Sequence, residues 1–72
     1  MVAKNVSIVQ QHKDEIRSLL AQISYSENEI RIRKDIPSEG WAIKEYQSGI
    51  YNCNVRIREL KQILINIAKR AL

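Results

Sequence analysis

From Ile43 to Ala71, the positions Ile43, Tyr46, Ile50, Cys53, Ile57, Leu60, Leu64, Ile67 and Ala71 step alternately by three and four residues, and each is apolar or aromatic. A three-four stripe sustained this long marks a helix that lays one face against another helix. Strands repeat every two residues, so the pattern excludes them from this half of the chain. It predicts one helix over about 41–70.

The first half carries the same period less densely. Val2, Val9, Ile16, Ile23 and Ile30 recur every seven residues, with Asn5, His12, Leu19 and Ser26 as companions and Leu20 beside them. A helix over about 7–34 follows. Ser7 with Gln10 is a candidate capping box at its start, and Glu27–Arg31 and Glu29–Arg33 are i, i+4 pairs in the favourable order.

Between the two stripes stand the only proline, Pro37, one of two glycines, Gly40, and the only tryptophan, Trp41. Proline removes an amide donor and pushes Ile36 out of helical geometry, and Gly40 can adopt angles that other residues avoid. The cluster therefore reads as the tip of a hairpin at 35–41. Ser38 is expected to cap the outgoing helix and Trp41 to cover the end of the seam against Ile36. With the tip centred on Ser38 and Glu39, residue n faces residue 77 − n. The expected fold is all-α: one domain, 1–72, forming a two-helix antiparallel hairpin.

A chain of 72 residues is near the lower limit for folding alone, and a single cysteine provides no intramolecular disulfide. Ile8, Tyr25 and Ile32 on the first helix and Tyr51, Val55, Ile63 and Ile65 on the second lie off the seam. A lone hairpin leaves them wet, so assembly into a helical bundle with a second copy or another helical protein is expected.

The formal charge of +4 raises the question of nucleic acid. Residues 1–34 and 35–72 each carry six basic and four acidic side chains, so neither half is a basic arm. Candidate anion contacts are Arg31, Arg33, Lys34, Arg56 and Arg58, with Tyr25 or Tyr51 for stacking. The hairpin register divides these arginines into two separate patches, and a helical protein partner is the preferred reading over nucleic acid.

No phosphate-binding loop, paired-cysteine metal motif or nucleophile elbow is present. His12 faces the level of residue 65, about 18 Å along the rod from Cys53 at 1.5 Å per residue, so the two do not form a nucleophile and base. No catalytic residue, metal or cofactor is expected, and Cys53 reads as a small inward hydrophobe. Gly49 inside a helix calls for a close helix approach or a kink. No wholly apolar run exceeds the three residues of stretches such as Ile63–Ile65, so neither a signal peptide nor a membrane span is expected, and the expected location is cytoplasmic or reached by a leaderless export route.

Trp41 at the tip, then Tyr46 and Ile50, then Leu60, Leu64, Ile67 and Ala68 resemble the small WxG-type helical hairpins, similar to early secreted antigens of type VII secretion systems and to the helical partners of LxG toxins. The glycine of that motif is missing, since Ala42 and Ile43 follow Trp41 and Gly40 precedes it. The resemblance implies a non-catalytic interaction module, a secretion partner or targeting chaperone, with Trp41 and Tyr46 joining Tyr51, Val55, Ile63 and Ile65 as partner-binding residues. The alternative is a small phage or mobile-element protein that binds nucleic acid or a nucleotide, or inhibits an enzyme.

Overall fold

The computed structural model describes residues 2–71, and the side chains of residues 8–70. Two α-helices, α1 (Val2–Arg33) and α2 (Gly40–Ala71), run antiparallel and are joined by a short tip. The hairpin read from the three-four stripes is the observed fold, with both helices slightly longer than expected. α1 begins ahead of Ser7, so Ser7 lies within the helix, and the expected capping box involves a side chain outside those described. The expected seam positions Val2, Asn5 and Ala71 lie outside the described side chains.

The tip departs from expectation in an instructive way. Ile36 has extended angles (φ −112°, ψ 99°), the conformation that a following proline enforces. Pro37 then opens a 3₁₀ turn, Pro37–Glu39, that runs directly into α2. Proline suits a first helical position because its missing amide is one that would have had no partner there. Ile36, not Ser38, is the residue at which the helical path begins, and no side chain caps it. Gly40 is right-handed helical (φ −58°, ψ −31°), so its special freedom is unused. Backbone amides of Lys34, Ile36, Glu39 and Gly40 bond to the carbonyls of Ile30, Arg33, Ile36 and Pro37, which satisfies the turn internally.

The rod measures 55 × 17 × 12 Å with a radius of gyration of 16.6 Å. A compact domain of this length has a radius near 11 Å. The thickness is that of one helix, so the structure is a single layer. The energetic consequence is a thin core. Among the described residues only Ala42, Ile57 and Leu60 are buried, and Leu60 alone is completely so. Val9, His12, Ile16, Leu19, Ile23, Ser26 and Ile30 on α1, and Ile43, Tyr46, Ile50, Cys53, Leu64 and Ile67 on α2, are half-buried. The stripes thus mark the seam correctly, but each seam residue has one helix to pack against and two open flanks.

The register agrees with the mirror rule near the open end, where Val9 and Lys13 share a groove with Leu64 and Ala68. Elsewhere the long side chains reach along the rod: Tyr25 meets Tyr46 and Glu15 meets Arg56, where the rule places residues 52 and 62, while Gln22 meets Cys53, close to the expected residue 55.

Candidate interaction surfaces

The residue just before each seam position and the residue just after it define the two broad faces of the hairpin. On an α-helix these are rotated by about 100° in opposite senses. In an antiparallel pair, reversing the second axis brings the "after" rows of both helices to the same face. The "before" rows then share the other.

The "before" rows contain Ile8, Glu15, Gln22, Tyr25 and Glu29 on α1, and Ala42, Glu45, Gly49, Asn52, Arg56, Glu59, Ile63 and Arg70 on α2. Contacts between the helices bear out this grouping. Arg56 Nε donates to Glu15 Oε2 at 2.9 Å, and Cys53 Sγ approaches Gln22 Oε1 at 3.7 Å. The Arg56 hydrogen bond and charge pull the Glu15 carboxyl below the ordinary glutamate range, and Glu15 in turn raises Arg56.

Toward the tip, Tyr25 and Tyr46 pack edge to face with centroids 6.3 Å apart. The Arg33 guanidinium lies 5.5 Å from the Tyr46 ring centroid. Arg33 also ion-pairs with Glu29 one turn back and, through Nε, with Glu39 at 3.1 Å. This clasp ties the end of α1 to the 3₁₀ turn and to the first turns of α2.

The "after" rows differ sharply. Along α1 they read Lys13, Arg17, Leu20, Ser24, Glu27 and Arg31, with Lys34 just past its end; along α2, Lys44, Gln47, Tyr51, Asn54, Arg58, Lys61 and Ile65. Seven of these side chains are basic and one is acidic. Tyr51, Asn54, Arg58 and Lys61 line one open groove along α2, together with Val55 and Ile57. None of the seven cations takes part in an ion pair among the described residues. The hairpin therefore has one strongly basic face and one face of mixed charge.

No family model, curated protein or solved structure matches the chain. The surfaces must accordingly be read from their own geometry.

The expected anion contacts are divided by this geometry. Arg31, Lys34 and Arg58 stand on the basic face, with Arg31 also bonded to Asn28 on its own helix. Arg33 and Arg56 are turned away from that face and engaged by carboxylates, so they serve the hairpin itself. Counting charge by halves of the chain missed the asymmetry; counting it by heptad position reveals it, and also brings in Lys13, Arg17, Lys44 and Lys61.

The expected partner-binding residues do not converge either. Tyr46 is half-buried in the seam. Tyr51 and Ile65 are on the basic face, Ile63 is on the mixed face, and half-buried Val55 lies on the outer side of α2. Trp41 is 66% exposed and Ile36 is 41% exposed, so the indole does not close the seam. Ala42 occupies the inward position in the first turn of α2, and the rotation of one residue carries Trp41 outward.

Gly49 is on the mixed face, and a Cβ built there meets nothing within 4 Å. No close approach inside the hairpin explains it. His12 is half-buried, Cys53 has Gln22 as its side-chain hydrogen-bond partner, and no cluster of His, Cys, Asp or Glu able to hold a metal ion occurs among the described residues. No helix there is long and apolar enough to cross a membrane.

Proposed function

We propose that the chain is a non-catalytic helical-hairpin interaction module that pairs through its mixed face with a second helical protein, most simply another copy of itself. The observation carrying this reading is the open seam. A layer one helix thick buries three of the described residues and leaves the rest of the described apolar stripe half covered. A second hairpin laid on one flank supplies the missing neighbours and makes a four-helix bundle.

Charge selects the flank. A two-fold dimer places the same patch of both copies in contact, so pairing through the basic faces would set seven cations against seven. The mixed face has both signs, with Glu15, Glu45 and Glu59 beside Arg56 and Arg70, and it adds Ile8, Tyr25 and Ile63 as exposed apolar surface. The exposed Trp41 beside Gly40 supports a more specific form of the proposal. As the likeness to WxG-type hairpins implies, the tip is a recognition element and the hairpin a secretion partner or targeting chaperone.

Light scattering coupled to size exclusion tests the reading. A mass near twice 8.4 kDa is expected, and Ile63→Glu is expected to reduce it to that of the monomer. A monodisperse monomer at micromolar concentration with a cooperative melt would refute self-pairing.

A further inference from the structure

We propose that the basic face binds single-stranded nucleic acid, with phosphates held at two cationic clusters and bases stacked over Tyr51 between them. The Glu15–Arg56 bond sets Lys13 and Arg17, two residues to either side of Glu15, near the level of Arg58 with Lys61 one turn further on, so the four cations form a quartet toward the open end. Arg31 and Lys34 stand near the tip, and Lys44 lies across from Glu27 at the level that the Tyr25–Tyr46 contact sets, so three cations and one carboxylate form the second cluster. From Arg58 to Lys44 the separation is about 21 Å along α2, at 1.5 Å per residue.

Glu27 is the one carboxylate on this face and stands at the inner edge of the tip cluster; between it and the quartet the face carries no charge and is suited to bases. Leu20 and Tyr51 are 54% and 69% exposed, and Gln47, Asn54 and Ser24 add hydrogen-bonding groups. Cations that track a backbone and an aromatic ring offered to the bases are the two elements of sequence-tolerant single-strand recognition. Bringing unpaired cations together on both helices also carries a repulsive cost, which a polyanion removes by replacing their counterions.

A membrane surface fits less well. Adsorbed amphipathic helices insert an apolar face, whereas the apolar stripes here are turned into the seam. An acidic protein would match the charge but make no use of the stacking surface. The site is separate from the proposed pairing face, so a dimer joined through the mixed face leaves it exposed. A monomer retains it too.

Fluorescence anisotropy of a labelled 20-nucleotide mixed-sequence single strand provides the test, using the full chain. Contact with four to seven phosphates gives a slope of about −3 to −5 for log K against log salt. Arg58→Glu with Lys61→Glu is expected to weaken binding at least tenfold near 0.1 M salt, and Arg58→Lys with Lys61→Arg to retain it. Tyr51→Leu is expected to weaken binding several-fold, and Tyr51→Phe to preserve it. Arg33→Gln with Arg56→Gln removes two charges from outside the basic face and should change affinity less than twofold. Circular dichroism confirms that each variant is folded, and the conservative pair keeps the face testable if the charge-reversed one is not.

The Arg58 and Lys61 reversals change the charge by twice as much as the Arg33 and Arg56 neutralisations, so a loss from the second pair that is half that of the first on a logarithmic scale would show that only net charge matters and would overturn the site. Absence of binding near 0.1 M salt would do the same. So would tighter binding to the matching duplex, to phosphatidylserine vesicles or to polyglutamate.

Discussion

Arg56 and Arg58 are separated by one residue on α2, yet Arg56 is bonded to Glu15 across the hairpin while Arg58 lines the opposite groove with Tyr51 and Lys61. Two like side chains thereby have different work: one holds the helices together and the other is free for an anion. The division follows from the helical period, which turns residues two apart by about 200°.

The Glu15–Arg56 pair makes stability depend on pH with a definite sign. Glu15 has its carboxyl lowered in the folded state, so its contribution is complete above the unfolded glutamate range and is lost as pH falls through the folded value. Glu15→Gln is expected to lower the melting temperature slightly at pH 7, since the pair is exposed to solvent. The wild-type advantage should shrink steadily below about pH 4. Thermal melts of both proteins across pH 7 to 3 measure this, and a constant difference throughout would contradict the role given to the pair.

Leu60 is the one described side chain with no exposure, and in a core of three residues its loss has few neighbours to compensate it. Leu60→Ala should cost about 2–5 kcal/mol, the range for large-to-small changes in a core. At roughly 0.05–0.15 kcal/mol per residue the whole chain has about 4–11 kcal/mol of stability, so this single change removes a large share of it. Leu20→Ala, at a half-exposed position outside the seam, should cost less than about 0.5 kcal/mol. Urea titrations of the two variants give the comparison.

The hairpin, its two helices and the seam were legible because a three-four stripe is a direct record of one helix face meeting another. The cap was not, because Ser38 is a good cap by side-chain chemistry while Pro37 controls the backbone by fixing its own φ and extending Ile36. The outward Trp41 follows from the stripe itself: Ala42 and Ile43 take the inward positions, and the indole, about 200° from Ile43, stands outside. The charged face was present in the residues all along. It is invisible to a count along the chain, since Arg56 and Arg58 add to the same tally and face apart.

For Trp41 the exposed position makes a clear demand. Trp41→Ala should change the stability of the isolated chain by no more than about 0.5 kcal/mol, the usual range for surface substitutions. The wild-type indole should fluoresce at a water-like wavelength and be readily quenched by acrylamide. Binding to a recognition partner at the tip should fall at least tenfold with the same substitution, as aromatic anchors often dominate interfaces. Chemical denaturation and a partner binding isotherm on one preparation would measure both, and a large stability loss would restore the seam-closing role.

Gly49 offers the sharpest separation between the hairpin and its assembly. Inside a helix, glycine costs about 0.5–1 kcal/mol relative to alanine, and the space beside it is open in the single chain. Gly49→Ala should therefore stabilise the isolated hairpin by about that amount. On the mixed face, however, a missing side chain lets the backbone of a second helix come close, and an added methyl would hold it away. Self-association should then weaken even as the monomer becomes more stable. Gly40→Ala is the control, since Gly40 is also right-handed helical with open space around it but lies at the tip. It should raise stability without altering association. Melting temperatures measured over a hundredfold range of protein concentration distinguish the two variants: Gly49→Ala should flatten the concentration dependence and Gly40→Ala should leave its slope intact. A slope left intact by both would place the pairing surface away from Gly49.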